Sequence, residues 1–107
     1  KTYKIGNLKL SEEKKMVIWF NIEIELTRKE FLLLSYLVKR PRTIFTRTQL
    51  LDLLDIELDA EQQVIDSHIK RIRKKFKEAR PEEKFNRIHT HYGDGYSWRP
   101  QSLSNHL

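Results

Sequence analysis

VIDSHIKRIRKKFK, residues 64–77, decides the fold. Three isoleucines and a phenylalanine stand among six lysines and arginines, one aspartate, one serine and one histidine. At about 100° per residue, Ile65, Ile69, Ile72 and Phe76 fall on one stripe, which is the face an amphipathic helix buries against a core. Opposite lie Gln63, Ser67, Lys70, Arg71 and Lys74. Asp66 and Arg73 border that face on one side, His68 and Lys75 on the other. A helix face that meets only solvent usually mixes charge signs to gain i,i+4 pairs. This one sets Asp66 and Glu78 against six Lys/Arg side chains, with His68 a possible seventh cation. The repulsion costs a few tenths of a kcal/mol per uncompensated pair, a cost that a polyanion would remove. Short polar residues in the first turns can approach base edges while cations along the rest meet phosphates, so the pattern suits a helix lying in a major groove.

Outward from this helix, the charge is uneven. From Leu50 to Gln63 there are five acids (Asp52, Asp55, Glu57, Asp59, Glu61) and no base. Adjoining surfaces of opposite sign point to two partners rather than one. The whole chain carries a formal net charge of +6 and a sequence pI of about 9.7, which favours an anionic partner, nucleic acid before membrane. Its 107 residues fit one domain, and without cysteine the fold rests on packing alone, which suits the cytoplasm. No apolar run reaches the roughly 20 residues of a membrane span. A chain that opens on Lys1 rather than methionine reads as a fragment with a partner domain missing.

The remaining elements follow from local signals. TYKIGNLKL reads as two short strands broken at Gly6-Asn7. KKMVIWF and NIEIEL give two more, the last with Ile22, Ile24 and Leu26 at period two. LTRKEFLLLSYLVKRP is a helix with a capping box at Thr27 and Glu30 and a stop at Pro41. TIF (43–45) is a short strand, and TRTQLLDLL starts a second helix on the capping box Thr46 to Gln49. The start of the third helix is marked by Asp59 and Gln62, so it should run over about 60–77. In NRIHTHYGDGYSWRP, two β-rich halves flank Gly93-Asp94-Gly95, a hairpin signal. The order is sheet, helix, strand, helix, helix, hairpin: an α+β fold whose last two helices and hairpin form a winged helix-turn-helix.

In this order and spacing, LTRKEFLLLSYL, TRTQLL, VIDSHIKRIRKKF and IHTHYGDGYSW resemble the C-terminal effector domain of OmpR/PhoB-class bacterial response regulators. The resemblance covers Tyr3 to Trp98. It implies a winged helix with an N-terminal four-stranded antiparallel sheet, three helices and a hairpin wing. It also implies a DNA-binding transcription regulator that needs no cofactor, sits behind a receiver domain, and binds direct repeats in double-stranded DNA as a head-to-tail pair. Homodimerisation would then run through the missing receiver. Base-reading positions fall on Asp66, Ser67 and Arg71, and phosphate contacts on His68, Lys70, Arg73 and Thr90. Lys74 on the exposed face and Gln63 at the helix start join the phosphate set, although Gln63 stands where the family usually has arginine. For Asp66 the alternative is an i,i+4 bridge to Lys70, and for His68 a bond to the backbone. Asp55, Glu57 and Asp59 lie in the segment that meets RNA polymerase in activators of this class; their alternative role is helix capping, with Asp59 the cap. The wing, with His91 and Tyr92, is poor in positive charge, because Tyr92 replaces the usual minor-groove arginine and Asp94 lies between the glycines. Asp55 stands where the family often has tryptophan.

Two rivals remain. His89 and His91 alternate along a strand and share a face, which with Asp94 could form a metal site, although two ligands and an uncertain third are a weak signal for an enzyme. A protein-interaction module using the acidic segment, or an RNA-binding domain, is the other. Single-stranded RNA would favour aromatics exposed on a sheet, whereas Trp19 and Phe20 sit in apolar strands that read as packed.

Overall fold

The computed structural model describes residues 2–56 and 62–100. An antiparallel meander opens the chain: β1 (Thr2–Ile5), β2 (Leu8–Ser11), β3 (Met16–Trp19) and β4 (Ile22–Ile24), hydrogen-bonded in that order. Register pairs Leu8 with Trp19 and Leu10 with Val17, so alternation sends these four side chains to one face, where they are buried. The turn between β3 and β4 puts Phe20 and Asn21 at φ +50° and +65°, the left-handed backbone that a tight hairpin requires.

Helix α1 (Arg28–Lys39) begins at a complete capping box: Thr27 accepts from the Glu30 amide and Glu30 accepts from the Thr27 amide. Helix α2 (Arg47–Leu53) repeats the device with Thr46 and Gln49. Both follow from the Thr-x-x-Glu/Gln spacing. Between them Phe45 forms a single bridge to Tyr96. Helix α3 runs Gln63–Ala79, a shift of two or three residues from the expected 60–77. Gln62 flanks its start and makes no side-chain cap. The expected cap, Asp59, lies outside the described residues.

Ile65, Ile69, Ile72 and Phe76 of α3 are fully buried, each contributing about 1.5–3 kcal/mol. The helix touches α1, α2 and β4. Its C-terminal end is pinned by aromatic packing: Phe76 stacks on Phe85 at 4.3 Å, Trp19 meets both edge-on at 5.2 and 5.4 Å, and Phe85 reaches Trp98. Sheet, α3 and hairpin therefore share one core. The wing is a hairpin of β5 (Ile88–His91) and β6 (Gly95–Trp98).

Candidate nucleic-acid interface

Because one stripe of α3 is locked into the core, the rest of its circumference is fixed in orientation. Gln63, Ser67, Lys70, Arg71 and Lys74 are all exposed, and Asp66, His68, Arg73 and Lys75 are half-buried at the borders, as the wheel predicts. The wing stands beside this face. At its tip Tyr92 is 91% exposed, which rules out packing on Trp98.

The cations are better matched than α3 alone suggests. Glu30 of α1 is buried, and its carboxylate accepts from Arg71 Nε at 3.1 Å and from Lys75 Nζ at 2.6 Å while also capping its own helix. Burial pushes this carboxyl up, but the bonds from Lys75, the Thr27 amide and Arg71 outweigh it and hold it below the usual glutamate range. Arg71 is therefore a strut between helices in the free domain, and its other end bonds His68 Nδ1 at 3.0 Å. Among the described residues Lys70 and Lys77 make no ion pair, and Lys74 has only a 4.0 Å contact to Glu78.

For Asp66 and His68 the structure bears on the alternatives open in the sequence. Asp66 does not bridge to Lys70: its Oδ1 accepts from Arg47 Nε at 2.8 Å and from the Tyr96 hydroxyl, tying α3 to α2 and the wing. Desolvation opposes the charge, and the two hydrogen bonds overcome it, so the carboxyl is held low. His68 is disfavoured as a seventh cation. Desolvation first, and then the Arg71 charge, push its pKa below the ordinary histidine value, which favours the neutral ring.

Arg73 and Thr90 are brought together: the guanidinium donates to Thr90 Oγ1 at 2.7 Å and to the Ile88 carbonyl at 2.8 Å, so an expected phosphate ligand also props the wing. Arg47 and Arg73 each lie over the Tyr96 ring, at 5.9 and 5.8 Å. Arg47, Glu30 and Tyr96 were missed by sequence reasoning. Their partners are 19 to 45 residues away, and only the G-x-G-Y spacing hinted that Tyr96 faces α3 with its register partner Thr90.

Asp52 and Asp55 are exposed at the end of α2, with Asp55 in left-handed backbone at φ +57°. Glu57 and Asp59 lie outside the described residues. His89 and His91 do share a face, their rings 4.4 Å apart, but among the described residues no group of three potential metal ligands forms. Trp19 is buried, which removes it as a base-stacking surface. Among the described residues no helix is long and apolar enough to cross a membrane.

Known proteins share this architecture. The family model described as "Transcriptional regulatory protein, C terminal" matches residues 21–98. The transcriptional regulatory protein CreB of Escherichia coli K12 is 38% identical over 97 residues, which is 90% of this chain and 42% of CreB. The chain thus spans about two-fifths of the length of such curated relatives. The DNA-binding domain of RstA from Klebsiella pneumoniae, solved in complex with the RstA box, superposes with a TM-score of 0.80 at 27% identity, covering 94% of this chain and 99% of that one. DrrB of Thermotoga maritima, described as an OmpR/PhoB homologue, gives 0.77 at 31% identity over 92% of this chain and 44% of DrrB. The same sheet, three helices and C-terminal hairpin, with a family match across most of the chain, make it a member of the transcriptional regulatory protein C-terminal family, the winged-helix DNA-binding domains of OmpR/PhoB-class response regulators.

Proposed function

We propose that this domain binds duplex DNA sequence-specifically, with α3 in the major groove and the hairpin against the neighbouring backbone. The observation that carries the reading is the exposed row Gln63, Ser67, Lys70, Arg71 and Lys74 on a helix whose opposite side is locked into the core. Ser67 and Arg71 read base edges, and Asp66 does so with the Oδ2 side of its carboxylate. Lys70, Lys74 and Arg73 meet phosphates as cations, while Gln63, neutral His68 and Thr90 serve as uncharged hydrogen-bond partners. His91 and Tyr92 form the wing contact. Arg71 exchanges His68 for a guanine, so part of its guanidinium is already oriented by Glu30.

The domain works as the effector half of a cytoplasmic response regulator, bound to direct repeats as a pair, with dimerisation through a receiver domain. The exposed carboxylates at the end of α2 favour a second contact, with RNA polymerase, through Asp55 and through Glu57 and Asp59 by their charge. A preferred duplex selected from a random library tests the first reading. Arg71→Ala should cost about 1–3 kcal/mol on that duplex and far less on random DNA, whereas Lys74→Ala should weaken both alike. Equal losses for Arg71→Ala on both DNAs would remove it from base readout. Reversing the charges of Asp55, Glu57 and Asp59 should reduce transcription with DNA affinity intact; unchanged activation would leave them a capping and solubility role.

A further inference from the structure

Strand alternation gives the wing two unlike faces. Thr90 and Tyr96 turn toward α3, where Arg73 and Asp66 hold them, and His89, His91 and Ser97 turn the other way. On that second face a cavity of about 420 Å³ opens against the segment linking α1 to α2. Arg42, Arg87 and Arg99 line it together with His89, His91 and Ser97, and among the described residues no carboxylate does.

The three arginines are placed by backbone rather than by counter-charges. The Arg42 amide donates to the Trp98 carbonyl at 2.9 Å, and the Arg99 amide to the Arg87 carbonyl at 2.6 Å. Arg42 holds φ +68°, a left-handed conformation that costs a non-glycine residue about 1–2 kcal/mol. Among the described residues none of the three forms an ion pair. Arg99 rests instead against the His89 ring, and His91 bonds Ser97 Oγ at 2.7 Å. Partial desolvation, with the charges of Arg99, His91 and Arg73, holds the His89 pKa below its ordinary value, a sign of positive potential on this face.

We propose that this cleft is an anion site that takes a phosphate group. Three arginines lining one cleft, with no carboxylate among its described lining residues, suit phosphate oxygens, and a bound dianion would relieve their mutual repulsion. The site goes beyond the α3 reading and shares with the proposed DNA contact only His91 of the wing. Its phosphate comes either from the backbone of duplex flanking the α3 site or from a free phosphorylated small molecule.

Two variants test it: Arg42→Asn, since asparagine tolerates left-handed backbone, and Arg87→Gln. Pyrophosphate is titrated at constant ionic strength while NMR follows the ring protons of His89 and His91, both of which line the cleft. Affinity for a long-flanked duplex is measured against salt in parallel, and thermal melts confirm that the variants fold. Saturable pyrophosphate shifts, weakened at least tenfold in each variant, support the site. With an unchanged duplex salt slope they identify a free phosphorylated molecule. A slope shallower by about one unit per arginine removed, with the pyrophosphate shifts weakened likewise or absent, identifies the DNA backbone. Pyrophosphate shifts that survive both substitutions, or no shifts together with an unchanged slope, overturn the proposal. Arg71→Ala should leave the pyrophosphate shifts intact, so failure of the α3 reading is distinguishable.

Discussion

Arg71 cannot hold Glu30 and His68 and also offer every N–H to a base, and this competition defines the residue scale. Its side chain is 52% exposed, so the bridge to Glu30 is screened and contributes modestly on its own. Glu30 is different, because its carboxylate is buried and serves three donors at once. Glu30→Gln should therefore destabilise the domain by on the order of 1–3 kcal/mol, since it loses a charge-assisted acceptor for Arg71 and Lys75 and cannot fully replace the cap. Urea denaturation at neutral pH measures this, and an unchanged midpoint would show that Glu30 does not hold α3. The same variant should leave Arg71 less well oriented and narrow the gap between preferred and random DNA. Of these contacts only the Thr27–Glu30 cap was legible in the sequence. Asp66 had an obvious neighbour in Lys70 at the right spacing, but Arg47 and Tyr96 reach it from other elements, and pairing across 19 and 30 residues leaves no local signal.

Elements were legible where their causes are local. Both capping boxes, the hairpin glycines and the buried stripe of α3 rest on spacing within one segment, and each appears in the structure where the spacing puts it. The start of α3 was misplaced because Asp59 and Gln62 looked like caps, while the helix begins at Gln63 with no side-chain cap. The two wing glycines, alike in sequence, differ in what surrounds them. At Gly95, φ is +142° and an added Cβ would lie 2.0 Å from the Phe45 carbonyl oxygen, backbone that is itself fixed by its bonds to Tyr96. At Gly93, φ is +86° and no atom lies within 4 Å. Gly95→Ala should thus separate the wing from Phe45 and lower the melting temperature sharply, whereas Gly93→Ala should cost about 1–2 kcal/mol, the backbone strain alone. Equal losses in the two variants would mean that the Phe45 bridge contributes nothing. Tyr92, exposed at the tip, is free to change without such a penalty. Tyr92→Arg should raise DNA affinity, steepen the salt slope by about one unit and create a preference for A-tract flanks, because a cation gains from their narrow, negative minor groove. Tyr92→Ala should bind nearly as wild type; loss of an existing A-tract preference in that variant, with its melt unchanged, would mean that the tyrosine itself reads the groove.

The whole molecule combines these local charges into two dependences, on pH and on salt. Glu30, Asp66 and His68 all have depressed folded-state pKa values, relative to ordinary values of 4.5, 3.8 and 6.5. For each, the unfolded chain binds a proton more readily, so its contribution is present above the unfolded value and is lost as pH falls through the folded one. Stability should therefore decline gently below about pH 6.5 as His68 is forced to charge, and steeply below about pH 4.5 as the two carboxylates protonate. His68→Gln should flatten part of the first limb, to which His89 also contributes, and Glu30→Gln part of the second, as read from denaturation midpoints across pH. Salt tests how the charge is used. A formal charge of +6 describes long-range attraction, but counterion release counts only cations that meet phosphate. Of the proposed phosphate contacts, Gln63 and Thr90 release none and His68 is biased to its neutral form, which leaves Lys70, Arg73 and Lys74. At roughly −0.9 per phosphate, the slope of log affinity against log salt should be about −2.7 for one domain and about −5.4 for a pair on a direct repeat. Anisotropy titrations on half-site and full-site duplexes between low and physiological salt measure both. Because Arg73 also props the wing, its exchange for glutamine would shallow the slope and lower stability together, whereas Lys70→Gln should shallow the slope alone. A half-site slope near zero would sink the electrostatic account, and one steeper by a unit or more would show that further cations, Arg47 or the cleft arginines, reach the backbone.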